Sequence, residues 1–586
     1  MPRFQDCWRC GNTVEVGIIC GLCGIAKYCG IKCQKSDIFR HEAECIPASI
    51  LRTCAMCRNS GRDLKACTGC YEVFYCNAKC QSNHWKRHKI DCEEVAKLLE
   101  KISGEIRRKF IVMPGLFPCP YYYWGNVPAF DCLNMIENEG KSYAMELNIL
   151  YLGVGDLRNV ALTCAYLPDA YTETVSFTLN ENSSCTLARL ALLLYMLIKG
   201  DSGIECNVTE IWYSIQLSRS TYELLRKTLQ ELINIRTSLE LRYETGGLLA
   251  IEDTMLKEVQ NVWATWLSLK VEGAKWIQEQ RKKWMTTVEF IERNNTYVND
   301  VPKVHTNSAK QWINDGVFKR TDTPLFAENP TLTGPDQNCR TREYSYSILP
   351  EVLPFSGWDY AQVKKFSYSD CIVTMFGNYI EFILRGFMRK LSSRQVRFLI
   401  VLYDCEQINS IFDVGIAFDR ILTSNLMDYI FLPRLLELCS GLINRHNHHA
   451  TIVTETMTWT RYIMTEADID SDKFKPQLQK LNKILQKDVG RSLKNPYCMR
   501  DYLENSFEFH VYLRSLFYTQ SQMSNPTRKR GKVIPLLNEL GKKMKLKLRD
   551  GIRNENRIVF FRPMTCRRKV TYLGGMERNL EWVPLR

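Results

Sequence analysis

The middle of the chain alternates short apolar runs with longer amphipathic ones, which is the pattern of strands followed by helices. Residues 146–152 predict a first strand that ends in Gly153-Val154-Gly155-Asp156, and residues 157–167 predict the helix after it. Residues 175–179 predict a second strand, and the strongly apolar stretch 186–198 predicts a second helix. Strand, glycine turn, helix, strand and helix in this order predict the start of a parallel sheet of the nucleotide-binding type.

This alternation stops over residues 201–395, where longer amphipathic stretches predict a mostly helical insertion. Its longest predicted helix covers 252–294, and the polar segment 295–342 that follows is typical of a loop. The alternation of strands and helices then returns. The predicted elements of this last part are strands at 396–403 and 450–455, a helix over 426–444, and closing antiparallel strands at 557–561 and 569–573.

The first 92 residues instead carry two copies of one cysteine pattern, separated by 47 residues. Each copy reads C-x2-C-x9-C-x2-C-x5-C-x3-C-x7-H-x3-C. The second copy has two candidate histidines, and the repeat selects His88, which matches His41, over His84, which matches Asp37. We therefore expect His84 to be a surface residue of a helix. The repeated positions are Cys7, Cys10, Cys20, Cys23, Cys29, Cys33, His41 and Cys45, then Cys54, Cys57, Cys67, Cys70, Cys76, Cys80, His88 and Cys92.

The spacing of these residues indicates metal binding. A C-x2-C pair on a tight turn directs two thiolates at one point, and residues four apart on a helix do the same from one face. Thiolate and imidazole groups are the ligands that tetrahedral zinc prefers. Eight ligands in each copy make two closed sites without a position for substrate water, which predicts four structural zinc ions per chain. A disulfide framework is the alternative, but seven cysteines and an in-register histidine in each copy argue against it.

Several of these residues resemble the MYND zinc finger family, because Tyr75-Cys76, Cys80-Gln81 and Trp85-x2-His88-x3-Cys92 fit its pattern closely. The first copy departs from the pattern, with Ile38 where the second has Trp85. The resemblance implies binding to short proline-containing peptides of partner proteins. It also implies cross-bracing, although spacing alone leaves a sequential arrangement open. In the first copy the implied sets are Cys7, Cys10, Cys29 and Cys33 on one zinc ion, and Cys20, Cys23, His41 and Cys45 on the other.

Two later segments resemble class I methyltransferases. More narrowly, they are similar to a methyltransferase-like domain of unknown function that accompanies MYND fingers, with a relative in a dynein axonemal preassembly factor. The segments are Leu-Gly-Val-Gly-Asp-Leu-Arg-Asn at 152–159 and Phe-Asp-Arg-Ile-Leu-Thr-Ser-Asn-Leu-Met-Asp-Tyr at 418–429. The resemblance implies an S-adenosylmethionine site. Its implied residues are Gly153, Gly155 and Asp156 at the carboxypropyl group, Glu181 at the ribose, Asp404 at the adenine, and Ser424 and Asn425 near the reacting methyl group.

The chain also departs from methyltransferases. Leu157 replaces the third glycine of G-x-G-x-G, Tyr151 stands where an acid usually precedes the turn, and no Asn-Pro-Pro-Tyr-like motif follows the fourth strand. The alternative is that Gly153 and Gly155 only allow a tight turn from strand to helix. These departures favour a protein-interaction scaffold with a degenerate methyltransferase-like domain. The alternative function is an S-adenosylmethionine-dependent methyltransferase whose fingers recruit a protein substrate.

Together these patterns predict an α/β fold. Two small cross-braced zinc modules precede a Rossmann-like, methyltransferase-type parallel sheet that is interrupted by a long helical insertion. The predicted domains are finger 1 at 1–46, finger 2 at 47–95, the first part of the α/β domain at 96–200, the insertion at 201–395, and the second part with a basic C-terminal region at 396–586.

Composition adds the expected compartment and the distribution of charge. The chain has 25 cysteines and no apolar leader, which predicts a cytoplasmic or nuclear protein that is not secreted. No uncharged apolar run reaches the roughly 18 residues of a membrane span, so we expect no membrane partner. The net charge of +14 is concentrated in 526–586, where 17 Lys and Arg face five Asp and Glu. Nucleic acid would meet this tail, but the tail lacks interleaved aromatic residues, which favours a solvated basic surface.

The ligands of the second copy are expected to hold that module folded. Modules this small fold around their metal, because structural zinc contributes roughly 10–16 kcal/mol of apparent binding free energy. We expect Cys76→Ala or His88→Ala to unfold the second finger and to lower the zinc content measured by atomic absorption. A variant that keeps the full zinc content would contradict the ligand assignment.

Overall fold

The computed structural model describes residues 7, 9, 14, 16–22, 26–44, 52–61, 64–67, 69–70, 73–112, 123–286, 301–318, 324–335, 343–348, 353–412, 415–463, 475–476, 479, 483, 506–524, 541–549, 558–559 and 578–585. The strand predicted at 569–573 and most of the basic tail lie outside these ranges. Within them, no helix is both long enough and apolar enough to cross a membrane.

Each finger consists of short antiparallel strands followed by one helix. Helix α2 is 30 residues long and therefore extends over about 45 Å, far beyond the second finger. The elements of the fingers are β1 (Ile18–Ile19), β2 (Lys27–Tyr28), α1 (Ile31–Glu44), β3 (Arg52–Thr53), β4 (Ser60–Gly61), β5 (Lys65–Ala66), β6 (Phe74–Tyr75) and α2 (Ala78–Arg107).

The rest of the described chain alternates strands and helices around one large sheet. The strands are β7 (Leu147–Leu152), β8 (Val175–Glu181), β9 (Gln216–Ser218), β10 (Leu249–Ile251), β11 (Leu325–Glu328), β12 (Thr333–Pro335), β13 (Tyr344–Tyr346), β14 (Val396–Leu402), β15 (Arg420–Leu422), β16 (Thr451–Thr456), β17 (Leu546–Leu548) and β18 (Arg578–Pro584). The helices are α3 (Arg158–Ala165), α4 (Ser184–Lys199), α5 (Ile204–Tyr213), α6 (Arg219–Asn234), α7 (Ser238–Glu244), α8 (Asp253–Ser268), α9 (Trp276–Met285), α10 (Thr306–Asp315), α11 (Tyr360–Phe366), α12 (Ile372–Ser392), α13 (Leu432–Leu442) and α14 (Ser506–Ser524).

The large sheet has eight strands in the order β10-β14-β8-β7-β15-β16-β18-β17. The first six strands are parallel, and β18 pairs antiparallel with both β16 and β17. The chain moves outward from β7 through β8 to β14, and then returns to the other side of β7 at β15. In open α/β sheets, ligands bind outside the carboxyl ends of the strands at such a reversal.

Both faces of this sheet are covered, as parallel sheets require. Strand β7 shows the alternation: Leu147, Ile149 and Tyr151 enter one core, whereas Leu150 and Leu152 enter the other. The first core includes α3, α4, α8 and α12. The second core contains apolar side chains of α2, α13 and α14. The helix that begins in the second finger therefore covers the sheet of the α/β domain.

The predicted insertion differs from expectation in three ways. The helix expected over 252–294 is broken, because α8 ends at Ser268 and α9 begins at Trp276 with a left-handed glycine, Gly273, between them. The polar segment 295–342 is not simply a loop, since its described part contains α10, β11 and β12. Its polarity reflects internal hydrogen bonding: buried Asn329 donates to the carbonyls of Ile211 at 2.7 Å and Ser214 at 2.9 Å. Strand β10 of the insertion joins the edge of the large sheet.

The last part of the chain also differs from the prediction. The helix expected over 426–444 is split into a short 3-10 turn and α13, which has Pro433 in its first turn. The antiparallel strands described at the sheet edge are β17 and β18. Most of the strand predicted at 557–561 lies outside the described residues. The two described residues of that segment, Ile558 and Val559, donate their backbone N–H groups to the Glu581 carboxylate, both at 2.8 Å. A side chain therefore satisfies these backbone groups in place of a neighbouring strand.

The motif Phe418-Asp419-Arg420-Ile421 has a structural role beside β15. The Arg420 Nη2 donates to both carboxylate oxygens of Glu139 at 2.8 Å, and neither side chain is accessible to solvent. The Asp419 carboxylate accepts the N–H of Asn148 at 2.8 Å and the side-chain amide of Asn447 at 2.9 Å. These contacts hold β15, and the segment after it, against β7 and the loop that carries Glu139.

We expect Glu139→Ala to lower the free energy of unfolding by about 3–5 kcal/mol, because the Arg420 guanidinium would stay buried without its carboxylate. The measurement is urea unfolding of the full chain. Glu146→Ala is the matched control, since Glu146 pairs with Arg397 where both side chains are about half exposed, and such pairs contribute at most about 1 kcal/mol. Equal effects of the two substitutions would contradict the structural role of the buried pair.

Candidate metal centres

Helix α2 supplies three ligands of the second finger, and its first turn sets their direction. Asn77 caps the helix, with its side-chain oxygen accepting the Cys80 N–H at 3.0 Å. Cys80, His88 and Cys92 then lie on the helix, while Cys76 lies just before the cap. The remaining ligands come from the turns that flank the short strands β3 to β6.

The eight ligands of the second finger form two separate groups of four. We call Cys54, Cys57, Cys76 and Cys80 the outer site, and Cys67, Cys70, His88 and Cys92 the inner site. In each site all four ligand atoms lie within 4.8 Å of one another, and every ligand of the inner site is buried. The first and third ligand pairs meet, as do the second and fourth, so the finger is cross-braced rather than sequential.

The distances between ligand atoms fit tetrahedral zinc. A Zn–S bond of about 2.3 Å separates two sulfur ligands by roughly 3.8 Å. The Sγ atoms of Cys57 and Cys76 are 3.4 Å apart in the outer site. In the inner site, the Sγ atoms of Cys67 and Cys92 are 3.9 Å apart, and the Cys70 Sγ lies 3.3 Å from the His88 Nε2. The two groups therefore have both the donor chemistry and the spacing that a zinc ion needs.

Neighbouring groups favour the charged form of one inner ligand, Cys67, whereas burial raises the pKa of another, Cys92, to about 11. The hydrogen bond with the Cys70 side chain lowers the pKa of Cys67 to about 4, so this thiol is ionised at neutral pH. The Gln81 amide also donates to the Cys67 Sγ at 3.8 Å. This contact gives a physical reason for the Cys-Gln pair in the motif, because a donor to a thiolate helps to orient the ligand.

His84 does not join either site, but it is more than the surface residue we expected. It is half-buried, and its Nδ1 lies 3.0 Å from the Tyr75 hydroxyl. The first finger has the same arrangement, in which the Tyr28 hydroxyl donates to the Asp37 carboxylate at 3.1 Å. Position 37 or 84 therefore links the helix to the strand before it in both fingers.

The described part of the first finger contains one ligand group, formed by Cys7, Cys29 and Cys33. The Sγ atoms of Cys29 and Cys33 are 3.5 Å apart. This group corresponds to the outer site of the second finger, and buried Cys20 belongs to the other implied set. The remaining implied ligands, Cys10, Cys23 and Cys45 and the side chain of His41, lie outside the described residues.

A second candidate site lies in the α/β domain, where a cavity of about 490 Å³ opens at the carboxyl ends of β7, β8, β14 and β15. Three residues on its wall have left-handed backbone conformations: Gly153 with φ 68°, Gly155 with φ 63° and Ser424 with φ 46°. This conformation is unfavourable for serine, and such strain is concentrated at ligand sites and switches in proteins. The cavity lies at the reversal in strand order, where ligands of open α/β sheets bind.

The structure brings most of the implied cofactor residues to this cavity. Gly153, Gly155, Glu181, Ser424 and Asn425 line it. The Glu181 carboxylate accepts the Gly155 N–H at 3.2 Å, and burial raises its pKa although such hydrogen bonds lower it.

The other two implied residues have different positions. The Asp156 carboxylate accepts the Gly125 N–H at 2.7 Å and pairs with Arg158 at 2.5 Å, and Asp404 caps a short helix by accepting the Glu406 N–H at 2.9 Å. The cavity wall includes neither of these carboxylates.

Several residues of the wall were not predicted from the sequence. Gly125 and Asn126 come from a segment that precedes the first strand, and Tyr403, Cys405 and Tyr429 come from loops after later strands. Apart from Tyr429, which ends the motif 418–429, these residues follow no local motif, and long-range folding brings them together. For Tyr403 and Cys405 the available signal is their position at the end of the predicted strand 396–403, and a strand pattern places such an end only to within a few residues. Gly125 and Asn126 lie well before the first predicted strand and have no such signal.

The comparisons with known proteins agree with the geometry of the fingers. Residues 7–45 and 54–92 each match the family model of the MYND finger. The chain carries two MYND fingers. MYND fingers are zinc-binding modules that take part in protein interactions. Residues 123–217, which contain β7, the glycine turn and α4, match the family model of a domain of unknown function, DUF4470. Searches among curated proteins and among solved structures each found no match.

Space beside the inner site of the second MYND finger is limited at Gly69. A Cβ atom added at Gly69 would overlap the Cys92 Sγ, so we expect Gly69→Ala to weaken zinc binding at the inner site by at least about tenfold. The measurement is zinc retained during titration with a competing chelator. Gly61→Ala in the same finger is the control, because the nearest atom to its added Cβ is 4.0 Å away. Equal zinc retention by both variants would contradict the predicted contact.

Proposed function

We propose that this protein is an interaction scaffold whose two MYND fingers capture short proline-containing segments of partner proteins. One observation carries the proposal: the exposed indole of Trp85 lies directly beside the inner zinc site. Its ring packs edge-on against the ring of the ligand His88, with centroids 6.0 Å apart, and the residue is 41% exposed.

This position suits proline recognition. Proline-rich segments adopt a preformed extended helix, and the domains that bind them offer aromatic surfaces on which the pyrrolidine rings pack. Because Trp85 lies on α2 between the ligands Cys80 and His88, zinc binding fixes the position of its indole. A ligand that packs on this ring meets a surface that is already ordered, which lowers the entropic cost of binding.

The two fingers offer different surfaces. In the first finger the position of Trp85 is occupied by Ile38, which is 54% exposed, and Val16 and Leu22 are exposed as well. We infer that the first finger binds an apolar segment without a stacking tryptophan. Two linked sites on one chain raise the affinity for a partner that carries both segments, because the second contact forms at high effective concentration.

The test uses the full chain and an array of synthetic peptides that carry one or two prolines, with alanine-substituted copies of each peptide. We expect the protein to bind a subset of the proline peptides, and Trp85→Ala to weaken that binding by at least tenfold, as expected for the loss of an aromatic anchor. Fluorescence polarisation of the selected peptides measures the change in affinity.

Ile90→Ala is the matched control, since Ile90 is also exposed, at 65%, on the same helix. We expect it to bind like the unmodified protein. The proposal fails if the alanine-substituted peptides bind as well as the proline peptides, or if Trp85→Ala leaves their affinity unchanged.

A second candidate function, S-adenosylmethionine-dependent methyl transfer, is favoured by the cavity of the α/β domain. The central strands follow the order 3-2-1-4-5 of doubly wound nucleotide-binding sheets, and the cavity lies at the reversal of that order. If the cofactor binds, Glu181 has the position to accept hydrogen bonds from the ribose, and the cofactor would supply an electrophilic methyl group. The contacts of Asp156 and Asp404 within the protein favour the scaffold function.

Calorimetric titration of the full chain with S-adenosylmethionine separates these functions. Cofactor binding that Glu181→Gln abolishes and Asp404→Asn preserves would support the methyltransferase, because of these two carboxylates only that of Glu181 lines the cavity. An absence of binding at millimolar concentration would leave the scaffold function alone.

A further inference from the structure

The inner zinc site touches a residue from the far end of the chain. Arg514, on α14, donates from Nη1 to the Cys70 carbonyl and from Nη2 to the Gly69 carbonyl, both at 2.9 Å. These bonds span 444 and 445 residues of sequence. Arg514 is only 1% exposed, so its guanidinium group is buried against the turn that presents two of the four ligands.

The packing of α14 keeps this guanidinium group in place. Helices α14 and α2 lie against each other, and Leu516 shares one core with Leu99 and Ile102. Farther along the same interface, the hydroxyls of Ser103 and Thr519 are 2.8 Å apart and buried. Arg514 therefore reaches the inner site because α14 packs against α2.

The chemistry of the inner site explains the choice of arginine. Three thiolates and a neutral imidazole around a divalent zinc ion leave a net negative charge in a buried place. Buried charge is unfavourable unless a counter-charge or hydrogen bonds compensate it. A guanidinium group supplies both, because it is always positive and its fixed fork can donate to two successive carbonyls. Groups behind the ligands commonly tune metal affinity in this way.

We propose that Arg514 is a positioning and charge-balancing residue of the inner zinc site, so that zinc binding by the second MYND finger and docking of α14 onto α2 stabilise each other. The contact between the second finger and α14, which belongs to the C-terminal part of the α/β domain, thereby depends on the metal. The coupling is reciprocal, since any group that favours the zinc-bound state is itself favoured by zinc.

The first test measures the rate at which the zinc-loaded full chain releases zinc to a chromogenic chelator. We expect Arg514→Gln to accelerate the release of one zinc equivalent by about tenfold, within the range for groups behind metal ligands. Arg514→Lys keeps the positive charge and loses the fork, so we expect it to restore most of the slow release. Thr519→Val, on the same helix interface, should release zinc like the unmodified protein because the guanidinium group is intact.

The proposal is overturned if Arg514→Gln releases zinc at the unmodified rate. It is equally overturned if Thr519→Val is as fast as Arg514→Gln, since general loosening of the helix would then explain the effect. Release from Arg514→Lys as fast as from Arg514→Gln would show that charge plays no part. These outcomes do not depend on which peptide the fingers bind.

A second measurement uses the unmodified protein and so does not depend on a variant that folds. Hydrogen exchange is followed by mass spectrometry before and after a chelator has removed zinc. We expect residues 506–524 to lose protection with the metal, while residues 372–392 of α12, which packs in the other core, stay protected. Unchanged protection of 506–524 in the zinc-free protein would overturn the coupling.

Discussion

The structure depends on one continuous helix that belongs to two domains at once. The N-terminal half of α2 carries Cys80, His88 and Cys92, and its C-terminal half buries Leu99, Ile102 and Ile106 in the core beneath the sheet. Backbone hydrogen bonds limit a helix to gentle curvature over a few turns. The direction in which the zinc ligands point therefore sets the position of the apolar residues on the sheet. The second finger keeps a small core of its own, and the helix that begins in it continues into the core of the α/β domain.

Buried polar side chains perform a similar task on the other face of the sheet. Arg189 of α4 donates to the carbonyls of Tyr123, Ile211 and Trp212 and to the Thr331 hydroxyl, at 2.7 to 3.3 Å. Burial lowers its pKa to about 10, so it stays charged at neutral pH. This one guanidinium group joins four segments that are distant in sequence. Because carbonyl groups of loops need donors when they are buried, such arginines allow irregular backbone inside a core.

Features formed by residues close together in sequence could be predicted, whereas contacts between distant residues could not. The zinc ligands, the glycine turn and strands β7, β8 and β14 depend on residues close together in sequence, and their spacing was sufficient to find them. Spacing alone does not show which ligands share a zinc ion within a finger, and the family resemblance supplies that assignment. The polar composition of 295–342 predicts a loop, because composition does not distinguish solvated polar groups from buried ones such as Asn329. The contact between Arg514 and Cys70 has no local signal at all.

The docking of α14 onto α2 has a consequence for how the chain is made. The second finger leaves the ribosome early and can bind zinc at once, but α14, which shares a core with Leu99 and Ile102, follows more than 400 residues later. At a synthesis rate of about 5–20 residues per second, this interval lasts roughly 20–80 s. During that time a folded zinc module carries an apolar helix face that α14 does not yet cover. The nascent chain therefore needs protection at that helix, whether from a chaperone or from the early part of its own sheet.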